Sequence, residues 1–351
     1  MRKVTVFFVS LALFVLAVVP AFAQEDTSSL TIADIVVASA TAETPEFSVL
    51  LSAVQAADPA VLEALANPEA TLTVFAPTDA AFGALFEALG QETVDAILAD
   101  PAALTEILLF HVSGTVYDSA TVAAGLELTG GFGTIDTLNG QYIDVVQDEE
   151  GNITINGANL VAVDVVAANG VIHVIDAVIL PETRDLPTLV TDFTTAETPE
   201  FTTLLTAVSA AGLVETLADE EAFFTVFAPT DAAFAALPAE TLAAALADVD
   251  LLTSVLTYHV VAGKVGTADL AAVMILEEGD EAPEWFLGLT EDGGIEIATV
   301  NGASIVVNFV VNEDGTMNAV VNEATIVLTD VDATNGLVHV IDAVILPPMG
   351  E

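Results

Sequence analysis

"TVFAPTDAAF" fills residues 73–82 and returns without a change at 225–234. In each copy a β-prone run, TVF, ends at a proline, Pro77 or Pro229. Thr-Asp and an alanine-rich apolar stretch follow. That order predicts a buried strand leading into a helix. A hydroxyl or carboxylate of Thr78-Asp79, or of Thr230-Asp231, is placed to cap the helix, and an acid is favoured in its first turn. Thr78, Asp79, Thr230 and Asp231 are therefore read as structural.

Other blocks recur in the same order around this one. "TAETPEF" stands at 41–47 and 195–201, and "LLFHV" (108–112) matches "LTYHV" (256–260). "TLNGQYIDV" (137–145) matches "TVNGASIVV" (299–307). "VAVDVVAANGVIHVIDAVILP" (161–181) matches "VLTDVDATNGLVHVIDAVILP" (327–347). A repeat of about 150 residues is far longer than a solenoid period, so it implies two globular domains. The expected organisation is a signal peptide over 1–23, domain 1 over 30–182 and domain 2 over 186–348. The short proline-bounded linker "PETRDLP" (181–187) joins the domains. The second copy is longer between His259 and Thr299 and again around "NEDGT" (312–316). Both additions read as surface loops, the larger carrying the only tryptophan, Trp285. Within each copy, helical periodicity comes first and alternating strands split by turns come later. The class is α+β with mainly antiparallel strands.

Composition narrows the function. The chain carries 52 acidic and 4 basic residues, a net charge of −48. Such a surface repels nucleic acid and anionic lipid, so no nucleic-acid partner is expected. It also resembles the acid-rich surfaces of proteins that work in high salt. There is no cysteine, hence no disulfide and no thiol nucleophile. Arg2-Lys3, the apolar run 4–19 and "AFA" (21–23) read as a secretory signal cleaved before Gln24, the alternative being an uncleaved membrane anchor over residues 4–23. The expected location is secreted, periplasmic or cell-surface, with no stable membrane insertion after cleavage.

The repeated blocks resemble the fasciclin-domain family. "TVFAPTDAAF" is similar to its first conserved block, Tyr258-His259 to its central Tyr-His element, and the two "HVIDAVILP" segments to its second block. The resemblance implies two tandem domains, each a mainly antiparallel β-wedge with a flanking helical bundle. It also implies adhesion or extracellular-matrix function, without catalysis or cofactor. The partner would be an extracellular protein or polysaccharide. In repeat one Phe110-His111 stands where the family has Tyr-His.

All four histidines fall in repeated positions. His173 precedes Asp176 by three residues, as His339 precedes Asp342; on a strand such positions face opposite ways, so a local dyad is not expected. These four are read as structural. Phe110, His111, Tyr258 and His259 are carried over as adhesive candidates, beside a plain reading in which the imidazoles satisfy backbone groups. The loops "QDEEGN" (147–152), "EEGDEAPE" (277–284) and "NEDGT" leave room for weak Ca2+ association. None has EF-hand spacing, and no metal ligand set is assigned. The alternative function is a small-ligand or cation-binding module with a pocket between helices and sheet.

Overall fold

A computed structural model describes residues 27–348 except 130, 149, 197–199, 220, 275, 277–281 and 312–316. The signal-type segment, the "NEDGT" loop and most of "EEGDEAPE" lie outside the described residues.

The first repeat runs α1 (Ile32–Ala40), α2 (Ser48–Ala56), α3 (Pro59–Ala66), β1 (Leu72–Pro77), α4 (Asp79–Leu89), α5 (Gln91–Leu98) and α6 (Pro101–Phe110). It continues with β2 (Val112–Ser113), α7 (Ser119–Thr129), β3 (Phe132–Asp136), β4 (Tyr142–Gln147), β5 (Ile153–Ile155), β6 (Ala158–Ala167) and β7 (Gly170–Ile175). The second repeat follows the same order. Its helical half is α8 (Leu186–Thr195), α9 (Thr202–Ala210), α10 (Val214–Leu217), β8 (Phe224–Pro229), α11 (Asp231–Ala236), α12 (Ala239–Ala247) and α13 (Val249–Tyr258). Then come β9 (Val260–Ala262), α14 (Thr267–Val273), β10 (Phe286–Leu289), β11 (Ile295–Ala298), β12 (Ser304–Val311), β13 (Met317–Val321), β14 (Ala324–Ala333) and β15 (Gly336–Ile341).

The first sheet is ordered β3-β4-β5-β6-β7-β1-β2 and the second β10-β11-β12-β13-β14-β15-β8-β9. Pairing is antiparallel except where β1 meets β7 and β8 meets β15. These parallel pairs set the two most similar blocks of each repeat side by side. Phe75 lies opposite His173 and Phe227 opposite His339, with ring centroids 5.7 and 5.3 Å apart. β1 is buried along its whole length because both faces are covered. Val74 and Ala76 join the helix-side core, while Phe75 joins the core under α7 and β3–β5.

The larger insertion is not wholly a surface loop. Residues 286–289 add an edge strand, β10, that pairs with β11, and Trp285 is buried in the second domain's core. Burying the large apolar indole against the core is favourable, so the tryptophan closes the sheet end rather than decorating it.

The opening decapeptide has a partner that explains its identity in both repeats. Thr78 caps α4 by accepting from the Ala81 amide at 3.0 Å, and Thr230 caps α11 in the same way at 3.0 Å. Asp79 turns instead to the N-terminus of α2. Its carboxylate accepts from the Val49 amide at 2.9 Å and from the Ser48 amide and hydroxyl, at 3.2 and 2.6 Å. Glu46 returns the contact by accepting from the Asp79 amide at 2.6 Å. Asp231, Thr202, Thr203 and Glu200 repeat the arrangement. "TAETPEF" and "TVFAPTDAAF" are thus two halves of one joint, with Phe47 and Phe201 held at a φ of 63° before α2 and α9.

The last block closes each domain. Asn169 accepts from the Ile32 amide and donates to the carbonyls of Leu65 and Asn67, tying α1 and the end of α3 to the sheet. Asn335 does the same for Leu186, Leu217 and Asp219. A side chain on Gly170 would bring its first carbon to 1.9 Å from the Leu72 carbonyl oxygen, so only glycine lets β7 lie beside β1 here.

Candidate functional site

The four adhesive candidates are enclosed. Phe110, His111, Tyr258 and His259 are 1–3% exposed, which corrects the expectation that they offer their side chains to a partner. His111 and His259 end α6 and α13. Nδ1–H donates to the Ile107 or Val255 carbonyl at 2.7 or 2.8 Å, and Nε2 accepts from the Ile179 or Ile345 amide at 3.3 or 3.1 Å. Burial pushes both imidazoles down to about 4. The Tyr258 hydroxyl donates to the Ser304 carbonyl at 2.9 Å and accepts from Asn322 Nδ2 at 3.0 Å. It pins α13 to β12 and to the turn before β14. Phe110 fills the matching space in domain 1 without that bond.

His173 and His339 serve a second repeated joint. Asp164 and Asp330 sit at register breaks in β6 and β14 with φ of 56° and 55°. Their amides donate to Nδ1 of His173 and His339, whose Nε2 atoms donate to the carbonyls of Tyr117 and Val265 at 2.7 Å. Their carboxylates cap α7 and α14 by accepting from the Ser119 amide at 2.8 Å and the Thr267 amide at 3.0 Å. Burial holds the His173 imidazole below its ordinary range. Asp176 and Asp342 are separate from these rings, accepting from the amides of Asn159 and Thr325 at 2.7 Å.

The feature that sequence reasoning missed lies where the domains meet. Beyond Arg2 and Lys3 the only basic residues are Arg184 and Lys264, and both stand at this junction. Lys264 Nζ lies 3.2 Å from the centroid of the Tyr142 ring, a cation–π contact, and donates to the Gly140 carbonyl at 2.7 Å. The Tyr142 hydroxyl donates to Asp269, and its amide donates to Asp332 at 2.9 Å. The hydroxyls of Thr134 and Thr267 share a hydrogen bond at 3.1 Å. Gly266 is required, because an added side chain would come within 2.4 Å of the Tyr142 hydroxyl. Arg184 holds the linker through Glu182 and Asp192, and its carbonyl accepts from the Thr334 amide.

The junction is crowded with acid. Burial of Lys264 lowers its ammonium, opposed by the charges of Asp332, Asp269, Asp136 and Asp330. Asp332 Oδ1 is buried with no hydrogen-bond partner. Burial pushes the Asp332 carboxyl up to about 7 and the Asp144 carboxyl up to about 6. The signal available in the sequence was Lys264 itself, a lone cation in a domain of acids. Among the described residues no group of three or more His, Asp or Glu is arranged to hold a metal ion. Nor is any described helix long and apolar enough to cross a membrane. In the one acidic loop mostly described, Asp148 is occupied by the amides of Glu150 and Asn152.

A pair of α+β wedge modules, repeated in tandem and locked by their own capping joints, is thereby defined. The family model "Fasciclin domain" matches residues 45–181 and 199–347, and the chain belongs to that family. It is 43% identical over 151 residues to Protein sll1483 of Synechocystis sp., covering 42% of this chain and 68% of that one. It is 28% identical over 280 residues to the pig (Sus scrofa) transforming growth factor-beta-induced protein ig-h3. That match covers 79% of this chain and 35% of that protein, so the chain spans about a third of its length. Among solved structures it is similar to a FAS1 domain pair from the insect cell adhesion molecule Fasciclin I. There the identity is 19%, the coverage 88% of this chain and 98% of that one, and the TM-score 0.35.

Proposed function

We propose that this is an exported, non-enzymatic binding protein of the adhesion or extracellular-matrix type, whose two fasciclin modules act as one unit on an extracellular protein or polysaccharide. The observation that carries this reading is the junction. Lys264, Tyr142 and Gly266 hold two copies of one scaffold at a fixed spacing. Once one copy is bound, the second contact becomes intramolecular and avidity rises without a new kind of contact. Membership of the family supports the adhesion class. With the Tyr-His elements buried, contact falls to the exposed faces around them. The charge of −48 favours a cationic partner surface.

The test is binding of the full chain to immobilised matrix proteins and polysaccharides, beside Gly266→Ala, in which the Tyr142 contact is wedged apart. Saturable binding by the full chain, weakened about tenfold or more in the variant, is expected. Absence of binding across the panel would overturn the adhesive reading. Equal affinity of the variant would overturn the two-domain mode. The small-ligand alternative is favoured by one observation, an apolar cavity in the second domain.

A further inference from the structure

In the second domain α8, α9 and α10 lie over the sheet without filling the space beneath them. A cavity of about 70 Å³, open at its mouth, lies between these helices and strands β8, β9 and β15. Val190 of α8, Leu204 and Val208 of α9, Leu213 and Leu217 at α10, and Val260 of β9 line it.

The first domain shows why the space exists. Asn169 and Asn335 anchor equivalent carbonyls, Leu65 matching Leu217 and Asn67 matching Asp219. Yet Phe201 to Phe227 spans two residues fewer than Phe47 to Phe75. The missing residues remove the first turn of the covering helix. α3 has eight residues and buries Val61 and Leu65, whereas α10 has four and buries none. Leu213, Leu217, Val190 and Val208 are left only partly buried around the gap.

The wall selects its occupant. Thr257 and His259 reach it, but their donors are spent on the carbonyls of Thr253 and Val255, and His259 Nε2 is occupied by the Ile345 amide. Thr216 lies on the exposed rim. A guest therefore gains from apolar contact alone, as in dry hydrocarbon-lined cavities that take up small apolar molecules. An anionic head group would have to approach a chain of charge −48, against the field. We propose that this cavity is a binding site for an uncharged aliphatic ligand, a short alkyl or isoprenoid chain without a charged head. The site belongs to domain 2 alone and is independent of the adhesive reading.

The experiment titrates the full chain with 1-octanol and with octanoate, which share a chain and differ in charge. Calorimetry and valine and leucine methyl NMR provide the readouts. Saturable one-to-one binding of octanol is expected, with methyl shifts confined to the lining residues and octanoate at least tenfold weaker at low ionic strength. Val208→Phe fills the cavity and should abolish binding while keeping or raising the melting temperature; Leu213→Phe provides the same test from α10. Failure of octanol to saturate would overturn the proposal. So would undiminished binding by whichever filled variant folds. Equal affinity for octanoate would overturn the uncharged class.

Discussion

An imidazole nitrogen that accepts from a buried backbone amide must give up that bond to take a proton. His111 and His259 are in this position, and burial lowers both to about 4 from an ordinary value of 6.5. A depressed folded value means their contribution to stability is complete above pH 6.5, the unfolded value. It is lost as pH falls from there toward 4, on the order of 3 kcal/mol for each ring. Imidazole proton NMR should find both rings neutral at pH 5.5; a midpoint near 6.5 would contradict the buried geometry. Tyr258→Phe should cost about 1–2 kcal/mol of stability, since the Ser304 carbonyl and Asn322 lose a partner. Partner binding should stay unchanged, and comparison of denaturation midpoints and affinities checks both. The importance of these residues was legible from their recurrence. Their direction was not, because the groups they satisfy lie far along the chain, Ser304 being 46 residues from Tyr258.

Between elements, the joint formed by Asp79 and Glu46 shows what repetition can reveal. Thr78 was readable as a cap because its partner is three residues away. Asp79 was assigned to its own helix, whereas its carboxylate caps α2, 30 residues back. Nothing local marks that reach; the exact repetition of both blocks was the only sign that they touch. Asp79→Ala should leave the Ser48 and Val49 amides without an acceptor and destabilise domain 1 by about 1–2 kcal/mol, with Asp231→Ala giving a similar loss in domain 2. Denaturation followed by a probe in each domain measures the two losses separately, and a loss below 0.3 kcal/mol in both, on the order of an additivity error, would dismiss the joint. The parallel pairing of β1 with β7 was equally hidden, since alternation reports a strand but not its neighbour. The burial of Trp285 was misjudged because acids and turn residues flank it.

On the scale of the whole molecule, the junction couples domain packing to proton concentration. Lys264, Tyr142, Asp136, Asp144, Asp269, Asp330 and Asp332 face one another there. The raised carboxyls of Asp332 and Asp144 bind protons more tightly in the closed arrangement than they would in water. Closure is therefore favoured fully below the ordinary carboxylate range. That advantage is lost as pH rises through about 6 to 7 and is constant above. Small-angle scattering should show a larger maximum dimension at pH 8 than at pH 5. Asp332→Asn, which cannot ionise, should flatten most of the change. An unchanged profile at both pH values in the parent chain would sink the coupling. The two-domain layout was legible from the repeat, but the junction was not, because it depends on how the repeats are set against each other.

Two cations placed at one seam have a further consequence, for the lifetime of the protein among proteases. Trypsin-like enzymes cut after lysine and arginine, and beyond Lys3 the chain offers them only Arg184 and Lys264. Lys264 is covered by the neighbouring domain, and Arg184 is bound to acids on both sides. A chain of this kind presents long surfaces with no bond for such enzymes to cut, keeps Lys264 against the neighbouring domain and ties the partly exposed Arg184 to Glu182 and Asp192. Native protein should survive trypsin at pH 6. Loosening the seam by Gly266→Ala should release a fragment starting at Val265, read by mass spectrometry. Digestion therefore acts as a clock for the seam, and the same scarcity of cations would let the folded protein persist where trypsin-like enzymes clear others.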